Sequence, residues 1–143
     1  MASPPLTNRE YAYLRITVKG KHELVTSQLG VEPTNAWNEG DNNPRNNMPR
    51  KFTSWQLESG LDDTKPIEEH LEILFSKLEP LKNKLLLLSK RHQIFIECVG
   101  YYPPSGHGMY LSPEIVNKAA SMGAAFDLDF YYVSDYGHDL DYL

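Results

Sequence analysis

A single cysteine, Cys98, stands in 143 residues. One thiol closes no intramolecular disulfide, which excludes the stapled scaffolds of small secreted proteins. Long apolar runs are also lacking. The longest, residues 85–88, falls far short of the roughly 20 residues that a membrane-spanning helix needs. The opening residues, Met1-Ala2-Ser3-Pro4-Pro5, show no basic region leading into an apolar stretch. No signal peptide and no membrane association are expected, and the cytoplasm is the expected location. Positive charge is in deficit: 14 Lys+Arg stand against 19 Asp+Glu, a formal net charge of -5. Binding to nucleic acid is driven largely by basic patches that release counterions, so no nucleic-acid partner is expected. The one local basic cluster, Arg45, Arg50 and Lys51, reads as a solvated loop.

Catalytic signatures are missing too. The chain has no G-x-S-x-G elbow, no G-x-G-x-x-G fingerprint and no Walker-type loop. Ser105-Gly106-His107-Gly108 places a serine and a histidine in one loop, with no orienting acid assignable. His22, His70, His92, His107 and His138 include no pair at the close helical spacing of many zinc sites. Asp41, His107, Asp127 and Asp129 can meet only through loop placement. No metal and no cofactor are expected. Cys98 alternates with Ile94 and Ile96, which suits a buried structural thiol rather than a nucleophile.

What is present is a pattern that occurs twice. Residues 11–18 alternate like a strand, and a short helical stretch follows that ends in Leu29-Gly30. Residues 94–99 alternate in the same way, and another helical stretch ends in Met122-Gly123 before the strand 126–132. Between the two units, 53–57 reads as a strand. Pro66 opens a helix whose Ile67, Leu71, Leu74 and Leu78 form one apolar stripe. Pro80 ends or kinks that helix. Ser112 is a good N-cap for a helix that begins at Pro113. These elements predict one α+β domain over 9–133, with tails at 1–8 and 134–143. The expected architecture is a two-layer sandwich: a ferredoxin-like sheet of about four strands built from two strand–helix–strand units, with an extra central helix. Leu14, Ile16 and Val18, Ile94, Ile96 and Cys98, and Phe126, Leu128 and Phe130 are expected to share one buried sheet face.

The opposite sheet face is where polar groups converge. Tyr13 and Arg15 come from the first strand, Glu97 from the third, and Asp127, Asp129 and Tyr131 from the last. Two carboxylates at i and i+2 lie on one face, roughly 6.5–7 Å apart. That spacing suits acid–base work, a hard cation or a binding surface; the plain alternative is a solvated face of ion pairs. A second candidate is the stretch 32–50, rich in proline and asparagine and expected to be mostly irregular. Trp37 and Trp55 flank it, and with Asp41 and Arg50 they offer a binding rim. The alternative is that both tryptophans anchor the loop to the core.

Leu29-Gly30-Val31-Glu32-Pro33-Thr34, Trp37, Gly40-Asp41, Trp55-Gln56-Leu57, Leu111-Ser112-Pro113-Glu114 and Phe126-Asp127-Leu128-Asp129-Phe130-Tyr131 form an ordered series. The series resembles a bacterial family of small single-domain proteins of unassigned function. The resemblance implies one α+β domain in a bacterial cytosol and supplies no catalytic residues. In size and acidity the chain is also similar to immunity proteins that neutralise toxins. The resulting expectation is a non-enzymatic binding module for a basic protein partner, such as a toxin. Its binding residues are Tyr13, Arg15, Trp37, Asp41, Arg50, Trp55, Asp127, Asp129 and Tyr131. The alternatives are an enzyme, acting on a small molecule or depending on a metal, that uses Asp127 and Asp129, and a self-associating structural domain.

Overall fold

Ala12, Leu14, Ile16 and Val18 alternate with tyrosines, Arg15 and Thr17, and this period draws Arg9–Val18 out as strand β1. The structure, a computed structural model, describes residues 8–133. Of the tails expected at 1–8 and 134–143, residues 1–7 and 134–143, with His138, lie outside the described residues. Helix α1 (Glu23–Leu29) follows β1 and closes on Gly30, whose φ of 72° and N–H bond to the Thr26 carbonyl make the left-handed cap. Three short strands come next: β2 (Asn35–Trp37), β3 (Asn42–Asn43) and β4 (Met48–Pro49). Strand β5 (Thr53–Glu58) leads to helix α2 (Ile67–Leu78). Pro80 breaks the helix as expected: a 3₁₀ turn over Glu79–Leu81 joins α2 to α3 (Lys82–Leu88). Strand β6 (Gln93–Tyr102), helix α4 (Pro113–Ser121) and strand β7 (Ala124–Tyr132) complete the described residues. The Ser112 side chain caps α4 by accepting from the Ile115 N–H at 3.2 Å.

The fold is α+β. A mixed sheet of five strands has the order β2-β5-β1-β6-β7, and β3 and β4 form a separate two-stranded ribbon. Strand β1 is antiparallel to both β5 and β6, while β7 runs parallel to β6. The strand missing from the expected four is β2, which pairs with β5 through only three residues. So short a piece inside a proline- and asparagine-rich stretch shows no period of two.

One core lies between the sheet and the helices. Leu14, Ile16, Trp55, Ile96 and Cys98 meet Leu71, Leu74 and Phe75 of α2, Val25 and Leu29 of α1, and Ala119 and Met122 near α4. The expected shared face holds by register, since Ile96 pairs with Phe126 and Cys98 with Leu128. Its burial does not hold at Leu128, which is 49% exposed. Strand β7 is the sheet's edge, and the helix layer does not extend over that position. Among the described residues no helix is long and apolar enough to cross a membrane.

Candidate functional site

Among the described residues no helix packs on the other side of the sheet, and strand register assembles its side chains into rows. One row holds Gln56, Arg15, Phe95 and Ala125; the next holds Glu58, Tyr13, Glu97 and Asp127. Beyond these come Tyr11, Val99 and Asp129, then Arg9, Tyr101 and Tyr131. Tyr13, Arg15, Asp127, Asp129 and Tyr131 therefore occupy one face, as the alternation in their strands predicts.

Arg15 organises the upper rows. Its Nε donates to Glu97 Oε1 at 2.7 Å, its Nη1 donates to Thr17 Oγ1 at 3.0 Å, and its Nη2 lies 3.7 Å from Asp127 Oδ2. Its Cζ sits 4.6 Å from the Phe95 ring centroid. Glu97 is buried, whereas the Asp127 side chain is 51% exposed. Burial raises the Glu97 carboxyl above its ordinary value; Arg15 works against that rise, and nearby Asp127 adds to it.

A tyrosine ladder fills the lower rows. Tyr11 stacks on Tyr13 with centroids 6.2 Å apart, Tyr11 meets Tyr101 at 6.5 Å, and Tyr101 stacks on Tyr131 at 5.0 Å. Arg9 lies 5.2 Å over the Tyr101 ring and pairs with Asp63 at 2.7 Å. Tyr131 donates to Asp129 Oδ2 at 2.7 Å, a bond that pushes its phenol up to about 12, with burial adding to the rise. Tyr13 is raised to about 12, chiefly by burial. Asp127 and Asp129 thus stand as exposed carboxylates beside stacked, half-buried rings.

The residues around the long stretch divide differently. Trp55 does not belong to a binding rim. It is fully buried on the inward face, and its Nε1–H donates to Thr26 Oγ1 at 3.0 Å. Asp41 shapes the loop: its Oδ2 accepts from the Asn38 N–H at 2.8 Å, and its carbonyl accepts from the Arg50 N–H at 2.7 Å. Trp37 and Arg50 stay together, with the Arg50 Cζ 3.8 Å from the Trp37 ring centroid. The irregularity expected over 32–50 gives way to a turn built by asparagines. Asn43 and Asn46 side chains accept from the Arg45 and Met48 N–H groups, and Asn47 takes a φ of 56°.

Two polar pairings, one on the buried Tyr102 and Glu10 and one wholly buried, follow from no pattern in the sequence. Tyr102 donates to Glu10 Oε1 at 2.9 Å and stacks on His107 at 4.2 Å, while His107 Nε2 lies 3.7 Å from that same oxygen. Ser59 Oγ lies 2.6 Å from His70 Nδ1, both residues being buried. Tyr101 lies beyond the strand expected over 94–99, because β6 continues through Gly100 to Tyr102. Among the described residues no group of three or more His, Cys, Asp or Glu side chains is placed to hold a metal ion. Burial pushes the Cys98 thiol up to about 12, which suits an inert core thiol.

Against this geometry, one family model matches residues 8–133, and its description is "Domain of unknown function (DUF4279)". The chain belongs to the DUF4279 family. The match covers every described strand and helix of this DUF4279 chain. No curated protein and no solved structure matches it.

Proposed function

We propose that this DUF4279 chain is a non-enzymatic binding module whose outward sheet face docks a basic protein partner. One observation carries the reading: Asp127 and Asp129 project as exposed carboxylates next to the Tyr11–Tyr13 and Tyr101–Tyr131 stacks. Rigid tyrosines supply contact area at low entropic cost. Carboxylates beside them suit an incoming lysine or arginine, and the net charge of -5 steers such a partner towards the molecule. The concrete version is an immunity-type protein that blocks a toxin in a bacterial cytosol; its small size and acidity support that version. The order β2-β5-β1-β6, with α1 in one crossover and α2 in the other, supports a ferredoxin-like description of these four strands, to which α4 and β7 add a further edge.

Affinity capture from the native host tests the reading, with wild-type protein run beside Asp127→Asn and Asp129→Asn. A basic protein retained by wild type and lost from the variants is the expected result. Equal retention by all three proteins overturns the assignment to this face.

A further inference from the structure

A basic island breaks the acidic surface near the opposite edge of the sheet. Between Asp41 and Glu58 the chain carries Arg45, Arg50 and Lys51 and no acidic residue. The ribbon of β3 and β4 holds Arg50 in place from its backbone outwards. The Gly40 N–H donates to the Arg50 carbonyl at 2.8 Å, and the Arg50 N–H donates to the Asp41 carbonyl at 2.7 Å. The guanidinium lies on Trp37, and the Trp37 Nε1–H donates to the Phe52 carbonyl at 3.0 Å, which fixes the indole beneath it. Arg50 Nε is shielded from solvent and has no hydrogen-bond partner among the described residues. Among the described residues neither Arg50 nor Lys51 forms an ion pair. Both line a cleft of about 270 Å³ together with Asn43, Asn46 and the exposed apolar side chains of Met48 and Phe52.

We propose that this cleft binds a carboxylate side chain, flanked by an apolar residue, in an acidic peptide segment of a partner. A guanidinium already stacked on an aromatic ring loses little freedom on binding, and its planar fork matches a carboxylate. Lys51 adds a second cation, and Met48 and Phe52 accept the apolar neighbour. The site lies at the β2 edge of the outward side, where Trp37 pairs with Ser54 and Ser54 with Thr17. Strands β5, β1 and β6 separate it from the carboxylates of β7, whose charge selects the opposite partner, and it does not depend on that reading.

The test is an NMR titration that follows the Trp37 indole N–H of the full chain. The probes are the capped peptide acetyl-(Glu-Phe)₃-amide, its Gln-for-Glu counterpart and inorganic phosphate. The glutamate peptide should move the Trp37 resonance saturably. The glutamine peptide, and Arg50→Gln titrated with the glutamate peptide, should bind at least about tenfold more weakly. Arg50→Lys should also weaken binding, since it keeps the charge but loses the fork. If Arg50→Gln disturbs the ribbon, the two peptides on wild-type protein still decide. Equal affinity for both peptides, or no saturation by about 10 mM, overturns the proposal. Phosphate competing as strongly as the glutamate peptide overturns the carboxylate assignment.

Discussion

Arg15 shows how a single side chain organises the candidate site. It bonds Glu97, touches Thr17, approaches Asp127 and lies over Phe95. That Arg15 stands among carboxylates was legible in the sequence, because a period of two puts all of them on one face. That Glu97 is buried was not legible, since burial depends on β6 lying inside the sheet with β7 beyond it. The buried Glu97 yields a pH prediction. Its raised value means that the folded protein holds this proton to a higher pH than the unfolded chain does. Its contribution to stability is therefore fully present below the ordinary glutamate value of about 4.3 and is lost as pH rises through the folded value. Glu97→Gln should flatten that part of the stability profile, measured by denaturant midpoints across the acidic range. An unchanged profile would show that Arg15 fully offsets the burial.

Elements were legible where their periods were long. Strand β1, helix α2 with its stripe and the Ser112 cap of α4 all follow from spacing. The ribbon and β2 were hidden because two or three residues carry no period, and their geometry comes from asparagine side chains bonding to backbone. Strand β6 runs on through Gly100 for a physical reason. Tyr102 folds back over that glycine to reach Glu10, and a β-carbon at Gly100 would meet the Tyr102 hydroxyl and ring. Gly100→Ala should therefore cost about 1–3 kcal/mol, as overpacking does. Gly108→Ala, where nothing lies within 4 Å, is the control in the same denaturation series. The uneven cover of the sheet gives a second contrast. Leu74→Ala, in the fully buried stripe, should lose about 2–5 kcal/mol. Leu128→Ala, on the half-exposed edge, should lose less than about 1 kcal/mol. Equal losses would mean that the edge is covered.

At the scale of the whole molecule, the described helices pack on one side of the sheet, and the second face lies outside the main core cluster. Tyrosines and carboxylates occupy that face towards β7, while the cationic ribbon lies beyond β5 near the other edge. Composition foretold the acidity but not this separation of charge, which arises only when strand order sends Asp127 and Arg50 to different edges. The α+β class was readable from the alternation of elements; the fifth strand was not, since its pairing is too short to leave a pattern. The central claim is that the face carrying Asp127, Asp129 and the tyrosines docks a basic partner. The most direct measurement is a binding titration of the captured partner at low and high ionic strength, for wild type and Asp129→Ala, beside a melting curve for each. Screening slows a steered association, so wild-type binding should weaken as salt rises. Asp129→Ala should bind more weakly still, with its melting temperature nearly unchanged, because an exposed charge contributes only about 0–1 kcal/mol to stability. Salt-independent binding, or an Asp129→Ala protein that melts early yet binds normally when folded, would contradict the account.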